Sequence, residues 1–335
     1  MSDSPRALRI LAGSGRSGTT WLQDVLCVAN DLRAIFEPLE PHGWERAKAF
    51  SRKYANANTV WPELEAFWGD VNLGQAPGIW SDYRVRPDRL VPRPSSFSSL
   101  TAFKQYLAHW LALKNNSRKF REQKKFSNSI IKVIRANLML SWLADQPHSK
   151  IAFVIRHPAA VVESQLRLGN DWNAKRIAAF YNNDIRLNER LGIDWAVLCS
   201  KTQNDAELFT LIWCLENVLP LQECGTHERV AFICFEHLAT GDHNAWERLL
   251  SAFDLNVMPD ARLIAKPSQQ ASANMDQAES KAQYLASSLG RLSDENRTSI
   301  QTILDRVGVE FYNTTSMEPQ WSKVESVYNQ DWSLM

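Results

Sequence analysis

The chain is poor in the features that would place it outside the ordinary globular enzymes. It has five cysteines in 335 residues, an odd number, and no Cys-x-x-Cys pair. That argues against a disulfide framework and against a thiolate metal site, and it fits buried thiols in a reducing compartment. Charge of either sign is not in excess: 38 Lys and Arg face 37 Asp and Glu, a formal net charge of +1. No general electrostatic attraction to nucleic acid or to anionic membrane follows from that balance. No window approaches 18 uninterrupted apolar residues, so no membrane span is expected. The first residues, MSDSPRALRI, lack the apolar core of a signal peptide. A cytoplasmic location is the expectation. There is no His-Glu-x-x-His and no clustered Asp pattern, so no metal is expected. The seven histidines are scattered.

Against that background one stretch stands out, Leu8 to Ala29, LRILAGSGRSGTTWLQDVLCVA. It reads as a short apolar strand, a loop with glycines at 13, 15 and 18, and an amphipathic helix. Such a turn converges backbone N–H groups on one point, and the helix dipole adds positive potential there. Gly13-x4-Gly18 has the spacing of a P-loop, but Thr19-Thr20 follow where a nucleotide triphosphatase carries Lys-Ser or Lys-Thr. The cation comes earlier, at Arg16. The loop is suited to phosphate, yet it lacks the lysine that bridges the β- and γ-phosphates of ATP.

A second stretch, KIAFVIRHPAAVVESQLRLG from Lys150, carries a continuous apolar run, Ile151–Ile155, as in a strand buried on both faces. Arg156-His157-Pro158 follow, and proline is favoured at a first helical position. An arginine at a strand end that faces a helix start calls for an anion between them. A guanidinium offers bidentate contacts to phosphate oxygens, and a hydroxyl such as Ser164 adds a directional donor.

These two stretches together resemble the sulfotransferases that use 3′-phosphoadenosine 5′-phosphosulfate (PAPS). The family's 5′-phosphosulfate loop runs basic-Ser/Gly-Gly-Thr/Ser-Thr/Ser-aromatic. Arg16, Ser17, Gly18, Thr19, Thr20 and Trp21 fill those places, with Gly15 before them. Small-molecule members usually carry lysine at the place of Arg16, and many carbohydrate-directed members carry arginine. The family also has an arginine at a strand end and a serine eight residues on, which hold the 3′-phosphate; Arg156 and Ser164 match them. The resemblance implies an α/β fold with a parallel central sheet flanked by helices, the P-loop-like sulfotransferase fold. It implies PAPS as sulfuryl donor and the corresponding bisphosphate, PAP, as product. The motif style is nearest to carbohydrate-type and bacterial members.

Three further patches extend the resemblance. In Ser129–Arg135, SIIKVIR, Lys132 matches the lysine that offsets charge on the departing oxygen, but Ile134 stands where the family's histidine base is found. A lysine within the run IIKVI needs an anionic partner if its strand is central. In Phe36-Glu37-Pro38-Leu39, Glu37 is the candidate for the missing base, and a helix cap or an arginine partner is its alternative role. His42 is the reserve candidate and Glu40 a weaker one. A free glutamate has a pKa near ~4.3, so useful basicity requires partial burial. Phe235-Glu236-His237-Leu238 loosely matches a strand end of the family, and Lys266–Asn274 stands where a loop closes over the nucleotide.

Strand-like runs at Leu8–Ala12, Ala34–Phe36, Ser129–Ile134, Ile151–Ile155 and Val230–Phe235 alternate with helical patterns. The helical patterns cover Thr19–Ala29, Leu138–Gln146, Ala159–Leu168, Asp205–Glu223, Asn244–Phe253, Asp276–Ala286 and Asp294–Val307. This alternation implies a parallel sheet covered on both faces, with ligands beyond the carboxyl ends of its strands. One domain, 1–335, is expected. An irregular, partly helical insertion at about 40–128 breaks the alternation and is read as a substrate lid. Trp61, Trp68, Trp80 and Trp110 lie in or near it; aromatic faces stack on sugars and also fill cores. The acceptor is expected to be a glycan or another hydroxylated small molecule. The alternatives are a P-loop kinase using ATP, against which the missing lysine counts, and a non-catalytic nucleotide-binding relative.

Overall fold

A computed structural model describes residues 7–41, 44–73, 128–169, 172–265 and 287–334. Its centre is a five-stranded sheet: β1 (Leu8–Gly13), β2 (Arg33–Phe36), β3 (Ser129–Val133), β4 (Ser149–Ile155) and β5 (Val230–Cys234). The spatial order is β2-β3-β1-β4-β5 and every pairing is parallel. The chain therefore leaves β1 towards one side and later returns to β1's other side. Loops at the carboxyl edge beside β1 consequently splay apart, which is where open α/β sheets bind ligands.

Period-two alternation divides the strands between two cores. Ile10, Ala12, Ile131, Val133, Ile151, Phe153 and Ile155 enter one cluster; Leu11, Ile130, Ala152, Val154 and Ile233 enter the other. Both faces are covered, which is why these strands read as unbroken apolar runs rather than alternating ones.

On the second face lie α1 (Thr19–Ala29) and a later helix, His243–Ala252. Leu22, Val25 and Leu26 pack there against Trp246, Leu249 and Leu250. On the first face, Pro62–Asn72 (α2), Leu140–Asp145 (α3) and Pro158–Leu168 (α4) surround a long central helix, Asp205–Cys224. Asn204 caps that helix by accepting from the Glu207 N–H. Nearly all its residues are buried, so its sequence shows little amphipathic contrast.

Several expected boundaries shift. β3 stops at Val133 and β5 at Cys234, because Phe235 opens a short helix, Phe235–Thr240. Three short helices, Ala174–Ala179, Ile185–Leu191 and Trp195–Ser200, fill a stretch with no strong period; each is capped by an Asn or Asp side chain. The expected helix Asp276–Ala286 lies outside the described residues. So do residues 74–127 of the expected lid, with Trp80 and Trp110. The described part of the insertion is ordered around aromatic packing. Trp44, Phe50, Trp61, Phe67 and Trp68 meet in edge and tilted contacts on the main core. Trp68 thus fills the core, and the half-buried Trp61 packs against it. Among the described residues no helix is long and apolar enough to cross a membrane.

Candidate active site

The loop between β1 and α1 is shaped by close packing. Gly18, the residue before α1, has φ 87°, and a Cβ there would lie 2.2 Å from the Phe235 ring. Only glycine satisfies both the left-handed backbone and the aromatic floor. A Cβ on Gly15 would lie 2.3 Å from the Trp172 indole. One ring therefore presses on each of these two glycines. Arg16 itself has φ 73°, a conformation that non-glycine residues rarely adopt.

This loop is rich in donors. No side chain caps α1, and its first turn carries no acidic residue. Helix geometry leaves the Thr19 and Thr20 N–H groups without an intrahelical acceptor. The hydroxyls of Ser14 and Ser17 are buried without a hydrogen-bond partner among the described residues. Leaving a buried hydroxyl unsatisfied costs about 1–3 kcal/mol, and an anion in the loop would remove that cost.

The second expected motif meets the first. Arg16 Nε donates to Ser164 Oγ at 2.9 Å, and Arg156 Nη1 donates to the Arg16 carbonyl at 3.0 Å. The Arg156 guanidinium lies over the Phe235 ring, 4.8 Å from its centroid, and the Trp213 indole N–H donates to the Arg156 carbonyl. The two motifs adjoin because β1 and β4 are adjacent strands. Trp21 adjoins this group through Phe235. Its indole packs edge-on against Phe235 and Trp246 in the apolar cluster.

Behind Arg156 lies a buried polar network. His157 caps α4: its Nδ1 accepts from the Ala159 N–H at 3.1 Å. The proton is then on Nε2, which lies 3.0 Å from the Asn313 and Ser316 carbonyls. The His157 N–H donates to Glu236, which also accepts from the Tyr312 hydroxyl. Burial lowers the His157 pKa to about 4 against the two carbonyls that favour the charged ring. The folded value lies below the ordinary 6.5, so this contribution to stability is complete above 6.5 and is lost as pH falls towards about 4. Its upper size is about 3 kcal/mol. In His157→Asn, which keeps a capping acceptor but does not titrate, denaturation measured across that range is expected to show a shallower acid slope. An unchanged slope would refute the assignment.

The catalytic candidates meet beyond the ends of β2 and β3. Lys132 shares a sheet face with Ile130, the face that α1 covers. Its Nζ lies 2.6 Å from Glu37 Oε1 and 4.5 Å from the Phe36 ring centroid. Arg135 Nη1 holds Glu37 Oε2 at 2.9 Å, and Arg135 also pairs with Glu40. Glu37 has φ 46°, and its N–H donates to the Lys132 carbonyl at 2.9 Å. Lys132 and Glu37 are both buried. The anionic partner that Lys132 required is therefore Glu37. Burial alone would raise the Glu37 pKa, but Lys132 and Arg135 outweigh it and the net shift is downward. The expectation that burial makes Glu37 more basic is thus reversed in this arrangement by two cations.

His42 and the Lys266–Asn274 segment lie outside the described residues. Among the described residues no group of His, Cys, Asp and Glu is placed to hold a metal ion. Four contributors were missed from sequence. Arg135 carried a weak signal as a charge just past a strand. His157 carried one as the residue before the helix-starting Pro158, whereas Phe235 and Trp172 carried none for these roles, which arise from contacts with residues far away in the chain.

No family model matches the chain, and no curated protein matches it. Solved structures do. The sulfotransferase domain from the curacin biosynthetic pathway is 13% identical, with a TM-score of 0.44, over 92% of this chain and 99% of that one. The sulfotransferase domain from the Synechococcus PCC 7002 olefin synthase is 15% identical, with a TM-score of 0.44, over 90% and 96%. A sulfotransferase from Alicyclobacillus acidocaldarius is 12% identical, with a TM-score of 0.35, over 90% and 97%. The functional reading below rests on the residues of the site.

Proposed function

We propose that this protein moves the sulfuryl group of PAPS to a hydroxyl or amine of an acceptor, a carbohydrate or glycoconjugate. The observation that carries this reading is the meeting of Arg16, Ser164 and Arg156 around a P-loop-like turn that has no lysine after Gly18. Arg16, the Ser14 and Ser17 hydroxyls and the Gly18–Thr20 amides are the groups to hold the phosphosulfate. Arg156 and Ser164 are those to hold the 3′-phosphate. Lys132 offsets charge on the bridging oxygen. The acceptor oxygen forms the new bond to sulfur. The bond from sulfur to the 5′-phosphate oxygen breaks, its electron pair stays on that oxygen, and the acceptor proton passes to Glu37. As in phosphoryl transfer, the protein mainly positions groups and balances charge.

Arg16 supports a carbohydrate acceptor through the family resemblance. Trp68 gives no support, since it is buried in the core.

A thermal-shift panel tests the donor. Linkage makes a tight ligand raise the melting temperature. PAP is expected to stabilise strongly, with AMP and ATP–magnesium doing much less. In Arg156→Ala the preference for PAP over AMP is expected to shrink by about tenfold or more, the loss of one charge-assisted contact of about 1.5–3 kcal/mol. Stabilisation by ATP–magnesium above PAP would overturn the reading in favour of a kinase.

A further inference from the structure

Glu37 is held by two cations of different standing. Lys132 is buried on the sheet face under α1, whose N-terminal loop is the proposed phosphosulfate site. Arg135 is a fifth exposed and also pairs with Glu40. Its backbone is fixed too, because the Arg135 carbonyl accepts from the Arg52 N–H at 2.9 Å. The two carboxylate oxygens of Glu37 are divided between them: Oε1 to Lys132, and Oε2 to Arg135 and, more loosely, the Ile134 N–H.

We propose that Arg135 is a positioning residue, which keeps Glu37 oriented while donor binding draws Lys132 off it, so that Glu37 becomes able to accept a proton only with the donor in place. The proposal rests on the sulfotransferase reading. A bisphosphate entering the loop brings several negative charges to the face on which Lys132 stands, and its ammonium is then shared with or transferred to them. Oε1, the oxygen that Lys132 releases, is the one that an acceptor hydroxyl can address. Oε2 stays fixed by Arg135, which preserves the direction of the carboxylate. A buried carboxylate that loses one of two cationic partners binds a proton more readily. Among the described residues, Lys132 and Arg135 are the charged groups that pair with Glu37, with Glu40 sharing Arg135.

Binding of PAP, measured by titration calorimetry in buffers of different ionisation enthalpy, tests this without knowledge of the acceptor. At about pH 6 the intact protein is expected to take up about half a proton more than Glu37→Gln does. In Arg135→Ala, uptake is expected to rise towards about one proton while affinity for PAP changes by less than about threefold; Arg135→Lys should return uptake to near that of the parent. Equal uptake by the parent and Glu37→Gln, with tight PAP binding in both, overturns the exchange and leaves the sulfotransferase reading standing. Failure of PAP to bind the parent removes both. The comparison of parent with Glu37→Gln decides the matter even if Arg135→Ala does not fold.

Discussion

Arg52→Ala is expected to lower folding stability by about 3–5 kcal/mol, because it strands a buried glutamate. Arg52 and Glu216 are both nearly inaccessible and form an ion pair. Arg52 Nη1 also donates to the Tyr181 hydroxyl at 2.5 Å, and that hydroxyl donates to Glu216. The three residues come from the start of the insertion, from the segment after Ala174–Ala179, and from the long helix Asp205–Cys224. Removing the arginine leaves Glu216 with one neutral donor in a low-dielectric interior. A buried pair is often replaceable by apolar residues, whereas half of a pair is costly. The double variant Arg52→Met with Glu216→Leu is therefore expected to recover much of the loss. Denaturant unfolding gives both numbers if the slope m is unchanged. A loss below about 1 kcal/mol in the single variant would mean that Glu216 finds other partners.

Glu37→Gln is expected to keep PAP binding and to lower turnover by about 10²–10⁴-fold, the usual contribution of a general base. Glutamine keeps a carbonyl oxygen for Lys132 or Arg135, so the geometry is largely preserved, but it cannot take up the acceptor proton. Turnover can be followed as PAP release from PAPS in the presence of pooled sugar and aryl hydroxyl acceptors. Because Lys132 and Arg135 lower the Glu37 pKa in the absence of ligand, the carboxylate is already ionised at neutral pH. Glu37→Gln therefore removes one negative charge along with the proton acceptor, and retained PAP binding is the measure that the site tolerates the loss of charge. Full activity in the variant would assign the base elsewhere and leave Glu37 as the anchor of two cations.

The linear sequence determined the five strands and the principal helices, because a sheet buried on both faces writes itself as unbroken apolar runs between helical periods. It also exposed the loop and the strand-end arginine, since glycines at a fixed spacing and a cation beside an apolar run are local signals. Folding decided what faces what. Strand adjacency joined Arg16, Ser164 and Arg156 into one patch. The exits of β2 and β3, neighbours in the sheet and far apart in the chain, set Glu37 between Lys132 and Arg135. The same packing reversed the pKa shift expected for Glu37 and placed Trp68 in the core. Burial and charge act through distance in space, and residue order along the chain does not encode that distance.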